Sequence, residues 1–211
     1  MVCKKGLAAG VAGYGLYSAN PMLTAAGIKH LLNVEKKYID VAPAINAGLT
    51  TAGTTINAPA QGDTANTRDG NSIKMLSWSI KGVVSKNAAA TNTYLRMIVL
   101  LDRAPDGAVP LITEVLDYAG LANGVNAHYD PENMGARYKV LKDHRWVLND
   151  TDRPSYAFDF YGDINNHVKF SGPSGGIAGQ TQNALHVYFI SNQPTNTPGV
   201  SYISRVRYVD N

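Results

Sequence analysis

The hydrophobic positions of this chain fall into short runs with the two-residue period of β-structure, separated by long polar stretches. Residues 72–86 (SIKMLSWSIKGVVSK) carry Ile73 and Met75 on one face; Leu76, Trp78 and Ile80 then continue the apolar face one residue out of phase. That slip predicts a β-bulge near Met75 and Leu76. Ser77, Ser79 and Lys81 fall on the opposite, polar face. Residues 94–101 are apolar on both faces apart from Arg96, the pattern of a central strand covered on both sides. Residues 110–116 read as a short helix or a strand. Alternation over 137–141 is imperfect and stops at Lys142-Asp143-His144-Arg145, which predicts a turn. Further strands are predicted over 156–161, 167–170, 184–190 and 200–209. In the last, Val200, Tyr202, Val206 and Tyr208 share one face, and Arg205 and Arg207 the other.

About eight strands of this kind predict an all-β sandwich. The loops between them, 46–71, 117–135, 171–183 and 191–199, are long for structureless connections, which points to a function or an interface. An eight-stranded antiparallel jelly roll with long interstrand loops is one architecture that carries them, and is the fold expected here. The expected organisation is an N-terminal arm over 1–36 and one domain over 37–211. A short helix is expected over 24–38, with Leu31, Leu32 and Val34 apolar and Lys36 and Lys37 at its end.

Composition narrows the functional classes. The 211 residues suit one large β-domain. The charged fraction is 17%, below the usual ~25%, as on surfaces that pack against other proteins. The sole cysteine, Cys3, excludes an intrachain disulfide and a cysteine zinc site. Lys4, Lys5 and residues 6–16 resemble the start of a secretory signal, but glycines interrupt the run. No stretch approaches the ~20 apolar residues of a transmembrane helix, so no membrane insertion is expected.

The sequence offers little chemistry. Residues 172–181 (GPSGGIAGQT) are glycine-rich, yet the phosphate-loop lysine is missing and a strand follows in place of a helix. His128, Asp130 and Glu132 sit in one loop, with no second pair of ligands at metal spacing. Asp102 and Asp106 lie at a strand end and in a turn, where Asp commonly bonds its own backbone. His144 adjoins Asp143 but no nucleophile elbow accompanies them. No catalytic residue, cofactor or metal is therefore expected. Residues 1–40 hold five lysines (Lys4, Lys5, Lys29, Lys36, Lys37) against Glu35 and Asp40, a surplus that equals the whole-chain +3. These lysines are either phosphate contacts acting through counterion release or solvated charges on a linker.

Several segments carry a family resemblance in one order. Glu35 to Asp40 (EKKYID), with Tyr38 and Asp40, resembles the charged-aromatic-Asp lead into a first strand. Gly70, followed by 71–82, resembles a glycine-led first long strand. Arg96 to Asp102, then Asp106-Gly107 and Pro110, resembles an Arg–aliphatic–Asp strand with its turn and proline. Arg137, Tyr138 and Asp143 fit the next strand, and Arg205, Arg207 and Tyr208 the closing one. Together these resemble the jelly-roll capsid proteins of small circular Rep-encoding single-stranded DNA viruses, the circovirus-like group.

The resemblance implies a non-catalytic coat protein of the virion. It would self-assemble in about 60 copies into a small T=1 icosahedral shell around single-stranded DNA, with a host receptor as a further partner. The family's arginine-rich arm is missing. At +3 per subunit, ~60 copies supply about 180 positive charges, far below the charge of ~1,000 nucleotides. The alternatives are a coat protein of a small RNA virus and a secreted carbohydrate-binding jelly roll.

Overall fold

The computed structural model describes residues 35–117 and 121–210. In chain order the strands are β1 (Lys36–Val41), β2 (Ala44–Asn46), β3 (Thr54–Thr55), β4 (Ser72–Ser85), β5 (Asn92–Asp102), β6 (Leu116–Asp117), β7 (His128–Tyr129), β8 (Tyr138–Asn149), β9 (Ser155–Phe170), β10 (Gln180–Gln182), β11 (Ala184–Ser191) and β12 (Gly199–Asp210). A single-turn helix, α1 (Ile112–Val115), runs into β6. Six strands form one sheet in the order β1-β12-β4-β9-β10, with β2 also on β12. Four form a second sheet in the order β3-β11-β5-β8, and β6 pairs with β7.

The chain crosses between sheets from β4 to β5, returns from β8 to β9, crosses again from β10 to β11 and returns from β11 to β12. Two antiparallel sheets joined this way make the expected all-β jelly roll, with twelve strands among the described residues where about eight were expected. The apolar rows face each other between the sheets: Ile73, Met75, Trp78 and Ile80 of β4 and Val206 and Tyr208 of β12 against Leu95, Met97 and Val99 of β5 and Phe189 of β11. Trp146, Phe158, Phe189 and Tyr202 continue this core as a chain of ring contacts at 5.2–6.0 Å. Such pairs each add ~0.5–1.5 kcal/mol beyond the area they bury.

A second apolar cluster lies on the far side of the four-stranded sheet. Ile98, Leu100, Tyr188 and Ile190 pack there against Ile112, Val115 and Leu116, all within the excursion over 103–137. That covering is why 94–101 is apolar on both faces. The six-stranded sheet carries no such layer among the described residues, and its outer side mixes charged and polar residues with the exposed Val83, Tyr161 and Ile203.

The expected bulge occurs: against β12, Arg207 stands opposite Ser77 and Tyr208 opposite Met75, leaving Leu76 as the extra residue. Other expectations need correction. The turn expected at Lys142-Asp143-His144-Arg145 is continuous strand within β8. Its charges are taken up sideways, Lys142 over the Phe160 ring at 4.9 Å and Asp143 by Arg96 of β5, so they do not break the ladder. The two strands expected over 156–161 and 167–170 are one, β9. Gly162 lets it run on, because a Cβ there would stand 2.6 Å from the Trp78 indole. Residues 36–38, expected to end a helix, are strand β1; the rest of that expected helix lies outside the described residues. The segment 72–86, matched to a first long strand, is β4, the first long strand after three shorter ones.

His186 of β11 is fully buried, with Nδ1 3.1 Å from the Thr55 hydroxyl and Nε2 without a hydrogen-bond partner among the described residues. Burial pushes its pKa from 6.5 down to about 4. The unfolded chain therefore binds this proton more readily than the folded one. The contribution is complete above about pH 6.5 and is lost as pH falls through about 4. Chemical denaturation at pH 7 and pH 4 should show roughly 2–3 kcal/mol less stability in acid. His186→Leu should remove most of that difference; an equal acid loss in both proteins would refute the assignment.

Candidate functional site: buried ion pairs and a basic sheet face

Arg96 stands on β5 and points to the far side of the four-stranded sheet, where it is 1% exposed. Its Nε donates to Asp143 Oδ1 at 3.0 Å and its Nη2 to Asp143 Oδ2 at 2.7 Å. Nη1 donates to the carbonyls of Gly124 and Val125, both at 3.4 Å, and of Ala127 at 2.8 Å. The Tyr129 hydroxyl donates to Asp143 Oδ2 at 2.7 Å. Burial raises the Asp143 carboxyl, but the hydrogen bonds from Arg96 and Tyr129 outweigh it and hold the group below its usual range. Arg145 Nε donates to Val125 at 2.9 Å. The cluster ties the short 3-10 helix Leu121–Asn126 and β7 onto the sheet.

Asp102 and Arg137 form a second node. Asp102 is fully buried and accepts from Arg137 Nε at 3.1 Å and Nη2 at 2.9 Å. Arg137 also reaches Asp106 at 3.3 Å, in the turn where Gly107 takes a φ of +92°. Only glycine enters that region cheaply. Tyr138 is buried and donates to Glu114 at 3.3 Å, while Tyr188 donates to the Pro110 carbonyl at 2.8 Å. Asp102, Gly107, Pro110, Arg137 and Tyr138 thus converge at the base of the 103–137 excursion.

Two buried polar residues had no signal in the sequence. Arg68 is fully buried under Phe170, its guanidinium 4.1 Å from the ring centre. It donates to the carbonyls of Pro59, Gly70 and Gly172, which ties the 46–71 loop to the 171–183 loop. Asn57 accepts from the Leu185 amide at 2.8 Å and donates to the Asn183 carbonyl at 2.9 Å. Each lies in an irregular loop where no periodicity marks the buried positions.

Of the arm lysines, Lys4, Lys5 and Lys29 lie outside the described residues. Lys37 was expected to be free for phosphate and is not. It is 3% exposed, donates to Asp69 at 2.7 Å and pairs with Asp210 at 3.0 Å. The bond to Asp69 leads the effects that raise its pKa. It faces inward because 37, 39 and 41 point to the core side of β1 while Lys36, Tyr38 and Asp40 point out.

Those outward residues continue as rows across the six-stranded sheet. Lys36 stands opposite Val209, then Lys74 and His167; Tyr38 opposite Arg207, then Ser77 and Asp163. Asp40 stands opposite Arg205, then Ser79 and Tyr161; Ile203 opposite Lys81, then Asp159. Arg205 holds Asp40 with two bonds of 2.7 and 2.6 Å and lies 4.4 Å from the Tyr38 ring centre. Lys81 pairs with Asp159 at 2.9 Å. Ser79, Lys81, Ile203, Arg205 and Arg207 line a shallow groove of about 260 Å³. Tyr208, on the inner side, is core. Among the described residues no group of three or more His, Cys, Asp or Glu is placed to hold a metal ion. No described helix is long and apolar enough to cross a membrane.

A double-sheet jelly roll whose long loops are locked down by buried arginines is an architecture used by viral shells and by lectins. The sequence decides between these. The family described as satellite tobacco necrosis virus coat protein matches residues 20–211, and the chain belongs to that family. It is a viral coat protein with a structural role, and its place is the capsid of the virion. The match is to this family, not to the circular single-stranded DNA virus group that the segments resemble. No curated protein matches the chain. Solved structures with partial similarity include VP1 of Trichodysplasia spinulosa-associated polyomavirus in complex with 3'-sialyllactose, at 7% identity and TM-score 0.23, covering 85% of this chain and 97% of that one. The same VP1 in complex with sialylated precision glycooligomers gives 10% identity, TM-score 0.20 and coverages of 83% and 79%. Overlaps at these TM-scores carry no argument.

The Arg96–Asp143 pair should behave as a buried pair. Asp143→Leu leaves the guanidinium uncompensated and should cost about 3–5 kcal/mol in urea unfolding. Arg96→Met combined with Asp143→Leu should cost clearly less than Asp143→Leu alone. Additive losses would show that the two side chains act separately.

Proposed function

We propose that the protein assembles as closed icosahedral shells, of about 60 copies, around a single-stranded genome, and that this genome is RNA. The observation that carries the reading is the family match over residues 20–211, to the coat protein of an RNA virus. The jelly roll supports it by supplying a rigid body with long, anchored loops for contacts between copies. DNA, suggested by the resemblance of ordered segments, is the other outcome of the test. In this reading residues 1–36 are an arm ahead of a self-folding domain, which the pairing of β1 with β12 supports.

The test is size-exclusion chromatography with negative-stain microscopy on purified full-length protein, followed by disassembly. Reassembly is then carried out with equal amounts of single-stranded RNA and DNA of one length. Uniform closed particles that protect RNA from nuclease are expected. Preferential protection of DNA would reverse the genome assignment, and a monomer across salt and pH would overturn the shell.

Deleting residues 1–33 should leave the circular dichroism spectrum and cooperative melting of a β-domain while altering assembly or packaging. Loss of the folded domain would show that the arm belongs to the core.

A further inference from the structure

The outer face of the six-stranded sheet holds six cations, Lys36, Lys74, Lys81, Lys169, Arg205 and Arg207, against three carboxylates, Asp40, Asp159 and Asp163. Two of the cations are engaged, Arg205 by Asp40 and Lys81 by Asp159. Lys36, Lys74, Lys169 and Arg207 form no ion pair among the described residues. Lys36 and Lys74 flank Val209 in one cross-strand row, and Arg207 stands in the next row. Like charges so placed repel one another, and a polyanion laid across them relieves the repulsion.

Three further features restrict the kind of polyanion. Arg207 and Val209, which stands opposite Lys74, are two residues apart on β12, about 6.8 Å at the strand rise, which is close to the spacing of phosphates in an extended single strand. Beside them the small side chains of Ser77 and Ser79 leave β4 low between β12 and β9, and the groove lined by Ser79, Lys81, Arg205 and Arg207 opens there. On its far side Tyr161 is 59% exposed and its hydroxyl donates to Asp163, which leaves the ring open to solvent. Tyr38 is also exposed. A cationic track next to exposed rings is the arrangement that binds single strands, phosphates on the charges and bases on the aromatic faces.

We infer that this face is a genome-contact surface. Single-stranded nucleic acid lies across β12 and β4 with phosphates at Arg207 and Lys74 and a base on Tyr161, so the six-stranded sheet faces the interior of the shell. The inference rests on the shell reading above for its setting, and it moves the main contact from the arm lysines to the domain.

Binding of a labelled 20-nucleotide oligo(U) to the unassembled full-length protein, measured by fluorescence anisotropy across a salt series, tests it. Lys74→Gln with Arg207→Gln should weaken binding and flatten the log–log salt slope by about 1.4, at ~0.7 per lost phosphate contact on a single strand. Tyr161→Ser should weaken binding roughly tenfold with the slope unchanged. Lys139→Gln with Arg153→Gln, which removes two charges elsewhere, should do neither. Should the first pair shift the melting temperature, Lys36→Gln with Lys169→Gln serves in its place.

Wild-type binding in the Lys74/Arg207 variant, or an equal loss in the control, would overturn the inference. So would equal affinity for a heparin fragment of matched charge together with no effect of Tyr161→Ser, which would make the face a general polyanion surface. Particle formation, scored separately by microscopy, reports on the shell reading: shells that form and keep full nucleic-acid content in the Lys74/Arg207 variant would refute this surface alone, whereas a wild type without shells would refute the shell.

Discussion

A guanidinium buried in the middle of a β-sheet must have its donors answered, because each one left unpaired costs a large part of its lost hydration. Arg96 meets this constraint, and much of the four-stranded sheet is arranged around it. Asp143 has to come from the adjacent strand, which requires β8 to pass straight through the charged stretch 142–145. Three carbonyls have to come from a loop, which draws residues 124–127 over the sheet. With that loop in place, the apolar side of α1 and β6 closes over Ile98 and Leu100. One interaction thus links strand continuity, loop position and the second core.

The sequence made the long strands legible and left the charged ones ambiguous. In 72–86 the apolar residues alternate, slip once and resume, and the structure has a bulge at that slip because period alone fixes which face is buried. In 94–101 the loss of alternation correctly signalled a strand covered on both sides. In 137–149 the same logic failed: four consecutive polar residues look like a turn when read singly, and only the neighbouring strand shows that Asp143 has a partner. Gly162 hid the continuity of β9 in the same way, since its role depends on Trp78 of another strand. Arg68 and Asn57 lie in loops, where burial follows from tertiary contacts that no local pattern records. Lys37 and Lys36 show the finer limit. They are adjacent lysines, one neutralised inside and one outside, and only the parity of β1 separates them.

The two sheets have different outer surfaces. The four-stranded sheet is overlaid by its own chain and turns an irregular, loop-rich surface outward. Among the described residues the six-stranded sheet keeps an uncovered pleated face, where cross-strand rows of side chains stay in register over four strands. A coat subunit needs both kinds of surface, one that varies in shape and one that is regular and repeats from copy to copy. The fold provides them by sending its longest excursion to one side only.

β1 and β12 are paired from Lys36 with Val209 to Val41 with Ser204. The chain therefore enters and leaves the domain at neighbouring points on one edge, so the backbone from Lys36 to Asp210 is nearly a closed ring. A short linker from Asp210 to Lys36 would complete the ring without displacing a strand, and fresh ends could be cut at the exposed turn 150–153 as a circular permutant. Peptides fused at Lys36 and at Asp210 emerge together. In an assembly of symmetric copies, all of them are delivered to the same radius, so two different cargoes attached to the two ends are held as a fixed pair.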